Sequence, residues 1–477
     1  MLFNSLPFLV FAPIFFALYF PLKGQARLMW IALASFFFYG WWDWRFVPLL
    51  LFATLLNFWT GIRIERAAGD RDRQRRALLL SVVAGLGLLA FFKYTNFFVG
   101  SVYEGLRVWR PNLEQPVLAI ALPAGISFYT FQTMSYSIDV YRGHIAHAER
   151  NIWRFASFAS IFPHLVAGPI VRATSLLPQL AVDHRAEWQR IARGLEMVAW
   201  GYFLKVCLAD TAATVVKPRF DVPDLFGSLG HIIGVLAFAL QIYGDFAGYS
   251  LIAIGLGRVM GIDFGTNFNR PYFARSFSEF WTRWHISLSS WLRDYLYIPL
   301  GGNRGGRWLT ARNLLITMFL GGLWHGASWN FVVWGILHGL YLVVQRLISP
   351  FWQRGLKAAR VPGFVAAAIE IAVVFGLTCF AWIFFRAATF HDAKRIIQII
   401  AELRDFQLHM NEQMVGIFKT SMIATVVIAV DALSARESVR EWYLARPAFR
   451  VAGALLLVWA MILFGTYQGS SFLYFQF

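Results

Sequence analysis

Apolar runs of bilayer-crossing character recur along almost the whole chain, near residues 3–22, 28–43, 46–62, 77–93, 115–138, 154–171, 195–216, 231–260, 313–347, 363–386, 413–433 and 450–468. A spanning helix needs about 20 mostly apolar residues. In lipid, a backbone polar group finds its partner only within a helix or a closed barrel. The runs 231–260 and 313–347 are too long for one crossing, and some others are short enough to be re-entrant. The expectation is an all-α, polytopic membrane protein of about ten to twelve crossings, supplemented by re-entrant or interfacial helices. Composition agrees. Charged residues make up 14% of the chain, against about a quarter in soluble domains. Its 47 Phe and 20 Trp suit lipid and its interfaces. A soluble enzyme, a disordered chain and a secreted disulfide scaffold are excluded.

The 43 Lys and Arg outweigh 26 Asp and Glu, for a net charge of +17. In a soluble domain that surplus would point to nucleic acid. Here the cations lie in short stretches between apolar runs, as topology-setting loops do, and no nucleic-acid partner is expected. Arg63 to Arg76 holds six arginines; placed in the cytoplasm, they leave the N-terminus outside. Met1-Leu2-Phe3-Asn4 has no basic leader, so the first run reads as a retained helix. Cys207 and Cys379 both sit inside apolar runs and offer neither a metal spacing nor a convincing disulfide. The chain reads as one membrane-embedded domain over 1–477, and 264–347 is its candidate catalytic core.

Residues 264–312 interrupt the apolar pattern with Asn267, Asn269, Arg270, Arg275, Glu279, Arg283, His285, Arg293 and Asp294. Ser276 followed by Glu279 fits a capping box, so a helix is predicted to begin at Ser276. Phe280, Trp281, Trp284, Leu288, Trp291 and Leu292 then recur at helical spacing. Such a helix either lies on the membrane surface or re-enters to line a polar cavity. The following Gly301-Gly302-Asn303-Arg304-Gly305-Gly306-Arg307 suits either phosphate contact or a plain basic turn.

Leu320-Gly321-Gly322-Leu323-Trp324-His325-Gly326 places an imidazole in a strongly apolar segment. Ionisable groups there are functional candidates by default, although a histidine hydrogen-bonded within a helix bundle is the plainer reading. The glycines admit a close backbone or ligand. His338 follows 13 residues later. On one continuous helix the two imidazoles would stand roughly 20 Å apart along the axis, so a simple dyad needs a break. No P-loop, zinc spacing or Gly-x-Ser-x-Gly is found. A buried imidazole can act as general base toward a hydroxyl, and attack on an acyl thioester then needs positioning and help at the carbonyl oxygen but no metal.

The sequence resembles the membrane-bound O-acyltransferases, in the bacterial branch that acts in alginate O-acetylation. The resemblance runs through Gly125-Ile126-Ser127-Phe128-Tyr129-Thr130-Phe131-Gln132-Thr133, Tyr136 to Arg142 and Pro163 to Ile170. It is densest from Asn267 to Arg304, and continues in Trp324-His325-Gly326 and Trp382-Ile383-Phe384-Phe385-Arg386-Ala387. It implies a helical fold around a central tunnel, with His325 as the essential histidine and His285 as a second one lining the tunnel. It further implies substrate or CoA contacts by Asn269, Arg270, Arg283, Trp284 and Ser287, and by Arg293, Asp294, Trp324 and His338. The donor would be cytosolic acetyl-CoA, with no bound cofactor or metal. The acetyl group would cross a bacterial inner membrane, where a periplasmic SGNH/GDSL-like acetyltransferase modifies a polysaccharide.

The tail, 470–477, ends in Phe472-Leu473-Tyr474-Phe475-Gln476-Phe477. It resembles the Phe-x-Tyr-x-x-Phe ending of related acyl-relay systems, which implies that Tyr474 carries the acyl group. Read by itself, the same stretch better suits an aromatic interfacial anchor. Two further readings are a transporter of polysaccharide or lipid-linked sugar without acyl chemistry, and an acyltransferase acting directly on lipid or protein.

Overall fold

The computed structural model describes residues 1–114, 116, 118, 120–165, 168–403, 413–467 and 472–473. Every regular element among them is a helix. Among the described residues, seven helices are long and apolar enough to cross a membrane: Trp44–Arg66, Arg71–Arg107, Ser228–Met260, Trp329–Ala358, Gly363–Arg386, Met414–Ser434 and Pro447–Phe464. Leu6–Tyr19 is apolar but shorter.

Of the other expected runs, 28–43 forms the continuous 17-residue helix Gly24–Gly40, and the rest fall on interrupted segments. In 115–138 the helix starts only at Ile126, behind Gly125 at φ 70°. In 154–171 the chain leaves a helix at Ser160 and resumes as a single turn, Phe162–Leu165. In 195–216 a π-turn, Leu204–Ala209, separates two α-helical stretches. The overlong run 313–347 divides into Arg307–His325 and Trp329–Ala358, whereas Ser228–Met260 stays one helix.

The chain forms two compact units, one from residues 1–198 and 252–265, the other from 199–251 and 266–477. In the first, three helices meet at Asn57. Its carboxamide oxygen accepts from Ser81 (2.6 Å) and Ser137 (2.9 Å), and its nitrogen donates to Thr133 (3.2 Å). All four side chains are buried. Replacing Asn57 by leucine strips partners from three buried hydroxyls, at a cost of about 1–3 kcal/mol. Thermal denaturation of the purified protein should show a lowered midpoint, and an unchanged one would refute the role of this knot. In the same unit the Gly125–Thr133 and Pro163–Ile170 stretches meet, Gln132 lying 3.5 Å from the buried His164 ring.

The second unit is organised by the hairpin of Arg307–His325 and Trp329–Ala358. Its backbones touch at glycines. A Cβ on Gly322 would lie 2.3 Å from the Phe331 carbonyl oxygen, and one on Gly335 would lie 2.4 Å from that of Met318. Small residues at such crossings are how helices associate within lipid. The neighbour that Gly322 admits is thus another backbone, whereas Gly321 faces the Leu292 side chain.

Candidate active site

The helix begins where Ser276 predicts, its hydroxyl accepting from the Glu279 N–H at 3.0 Å, but the Glu279 carboxylate accepts from the Arg275 N–H, so only half of the expected capping box forms; the helix runs Phe277–Arg283. It does not continue to Leu292. Trp284 is extended, His285 adopts φ 43°, and a second short helix covers Ile286–Leu292. The break is imposed from upstream. The Asn269 N–H donates to the Arg283 carbonyl, and the Asn267 carbonyl accepts from the Ile286 N–H, both at 2.9 Å. With Phe277, Phe280, Trp284, His285 and Leu288 all buried, the pair of short helices is embedded in its unit rather than laid upon it.

Asn267 also sets the proton on His285. Its side-chain oxygen accepts from both the N–H and the hydroxyl of Ser287, and its nitrogen donates to Ser250. The single Ser287 proton is therefore committed. Toward His285 Nδ1, 3.4 Å away, the serine oxygen can only accept, so Nδ1 carries the hydrogen and Nε2 the lone pair. Burial pushes this imidazole down to about 3, and it is neutral near pH 7.

Three histidines are strung together through two indoles. His285 lies edge-on to Trp324 (ring centroids 5.8 Å), which meets His325 at 5.1 Å. His325 in turn meets Trp334 at 4.9 Å, and Trp334 meets His338 at 4.7 Å. The break at Gly326–Ser328 is what folds His338 back beside this row. His325 is buried against Trp334 and Phe385. It is the last residue of its helix, where the macrodipole favours an imidazolium. His338 is fully buried, and neither ring nitrogen has a hydrogen-bond partner among the described residues.

The sequence-predicted residues thus divide into two groups. Trp284, His285, Ser287, Trp324, His325 and His338 gather inside the second unit, Trp284 through its contact with Trp382 at 5.2 Å. Asn269, Arg270, Arg283, Arg293 and Asp294 lie on partly or fully exposed positions. There Arg283 pairs with Glu279, and Arg293 with Asp294 at 2.7 Å. The Gly301–Arg307 loop has all four glycines at positive φ, which explains their number. Asn303 in that loop accepts from Arg346 at 3.1 Å. Tyr474 lies outside the described residues.

Sequence reading missed Phe246, 4.5 Å from the His285 ring, as well as Asn267 as organiser and the buried Lys205 and Asp245. The last two carried a usable signal: an ionisable group inside an apolar run.

Comparison with known proteins bears on these features. The profile of MBOAT, the membrane-bound O-acyltransferase family, matches residues 148–388, a span that holds all three histidines. The probable alginate O-acetylase AlgI of Pseudomonas aeruginosa is 43% identical over 413 residues, 86% of this chain and 76% of that protein. The peptidoglycan O-acetyltransferase of Helicobacter pylori is 34% identical over 447 residues, 87% of this chain and 82% of that protein. The teichoic acid D-alanyltransferase of Bacillus subtilis is 23% identical over 336 residues, 64% and 82% respectively. With a helical, multi-pass membrane architecture and similarity of this extent, the chain belongs to the membrane-bound O-acyltransferase family and is an O-acyltransferase.

Proposed function

We propose that the protein takes acetyl from cytosolic acetyl-CoA and relays it through Tyr474 across a bacterial inner membrane, for O-acetylation of an extracytoplasmic polysaccharide by a periplasmic SGNH/GDSL-like acetyltransferase. The observation that carries this reading is the course of the tail. Phe472 is fully buried and packs on Tyr249 (4.2 Å) and Phe246 (6.1 Å), and Phe246 stands against His285. Phe472 and Leu473 are therefore enclosed by protein close to the histidine row, which supports the relay reading. The relatives named above act on alginate, peptidoglycan and teichoic acid, which supports a cell-surface polymer as the final acceptor. The basic glycine-rich loop, with Arg346 beside it, suits the phosphates of CoA.

In this scheme His325 takes the Tyr474 phenol proton as the oxygen attacks the thioester carbonyl. A C–O bond forms, the C–S bond breaks, and the CoA sulfur leaves with the proton from His325. The partner's nucleophile then takes acetyl from the tyrosyl ester and restores the phenol. Neutral His285 lines the path, and the unpartnered nitrogens of His338 suit contact with substrate or an ordered water.

Purified protein in lipid with radiolabelled acetyl-CoA tests this. Wild type should release CoA and retain label, whereas Tyr474→Phe should retain none. CoA release and polysaccharide acetylation at wild-type levels in Tyr474→Phe would discard the relay while leaving the acyltransferase.

A further inference from the structure

Three charged side chains lie inside the second unit, within apolar sequence. Lys205 Nζ stands 2.8 Å from Asp210 Oδ1 and 2.7 Å from Asp245 Oδ1, with side-chain exposures of 1%, 3% and 2%. Their meeting is built locally. On an α-helix, residues five apart point about 140° away from each other. The wider π-turn over Leu204–Ala209 brings Lys205 and Asp210 to one side. On the facing helix Gly244 and Gly248 bring Asp245 near. A Cβ on Gly248 would lie 2.7 Å from the Gly201 carbonyl oxygen, and one on Gly244 would lie 3.0 Å from that of Leu204.

A buried carboxyl needs donors to satisfy its remaining lone pairs. Asp245 Oδ2 receives one from the backbone N–H of Leu473, at 2.7 Å. A second tie lies a few residues earlier. The Thr466 N–H donates to the Val206 carbonyl at 2.9 Å, a carbonyl within the π-turn, and the Thr466 and Thr211 hydroxyls stand 3.0 Å apart. The C-terminal segment is thus held at two points by the irregular turn and its ion cluster.

We infer that the Lys205–Asp210–Asp245 cluster is a binding site for the C-terminal segment of this same chain, with Asp245 as the positioning residue that fixes the Leu473 amide. Lys205 fixes the Asp245 carboxyl at 2.7 Å, and Asp210 fixes Lys205 at 2.8 Å. The functional consequence, presentation of the tail to the histidine row, rests on the relay reading, whereas the docking stands on the contacts alone.

Hydrogen–deuterium exchange of the full-length protein in lipid nanodiscs, read on overlapping C-terminal peptides, tests it. The Leu473 amide should exchange slowly in wild type and in Asp245→Asn, which keeps an accepting oxygen. The triple variant Lys205→Met/Asp210→Asn/Asp245→Leu removes all three charges together and so strands no buried ion. In it, exchange at Leu473 should rise by at least about 100-fold. Slow exchange in the triple variant, or fast exchange in wild type, would overturn the inference. Fast exchange in the triple variant with acetyl transfer unchanged would keep Asp245 as the tail's anchor and sink the relay instead. Fast exchange with transfer lost supports both.

Discussion

Substituting His325 with alanine or glutamine is expected to cut acyl transfer by about 10²–10⁴-fold, the usual contribution of a positioned general base. The reasoning does not depend on lost packing. Glutamine keeps much of the volume between Trp334 and Phe385 and retains polar atoms, but it cannot accept a proton near neutral pH. If both substitutions fail alike while the proteins still elute as folded species, the loss is chemical. His285 offers no substitute. Its place beyond the Trp324 ring leaves it poorly positioned for a reaction at His325. Turnover of labelled acetyl-CoA measures the effect, and near-normal turnover in the glutamine variant would remove His325 from the chemistry.

The largest effect on assembly is expected at Gly335. A methyl there would sit 2.4 Å from the Met318 carbonyl oxygen, with Gly322 Cα only 3.1 Å away. These are backbone atoms, so no side-chain rotation relieves the clash and the hairpin must spread. Overpacking of a rigid contact costs about 1–3 kcal/mol or more for alanine, and a larger residue should prevent the hairpin from closing. Gly376 is the matched control, since a Cβ there meets nothing within 4 Å. Its alanine variant should be neutral or slightly stabilising, because glycine within a helix costs roughly 0.5–1 kcal/mol relative to alanine. The yield of monodisperse protein and its melting temperature distinguish the two sites. Equal behaviour would show that the hairpin tolerates a wider crossing.

What the sequence made legible was local. The Ser276 cap follows from residues within one turn; the division of 313–347 was announced only by its length, a criterion that failed for 231–260, which stays one helix. The break at His285 was not legible, because Asn267 and Asn269 create it by taking backbone partners that a continuous helix would have kept. Periodicity alone therefore ran one helix through to Leu292. The row of rings was half legible. Each histidine stood out in its apolar run, but the indoles that join them, Trp324 and Trp334, become neighbours only once the hairpin closes. Lys205 and Asp245 are 40 residues apart in the chain, and nothing short of tertiary contact reveals that they share a charge. Arg283 and Arg293 looked like ligands by type, yet Arg283 is engaged by Glu279 and the Arg270 carbonyl, and Arg293 by Asp294.

The π-turn at Leu204–Ala209 makes this part of the chain sensitive to length rather than to composition. Deleting one residue would restore an ordinary α-helix, swing Asp210 by about 100° relative to Lys205, and draw everything after it back by about 1.5 Å along the axis. Each side chain would remain chemically what it was, but the ion cluster would come apart and the Val206 carbonyl would return to the helix. An insertion or deletion in this short stretch is thus more damaging than many exchanges of one apolar residue for another. Homologues with a different residue count here must hold their tails by other means.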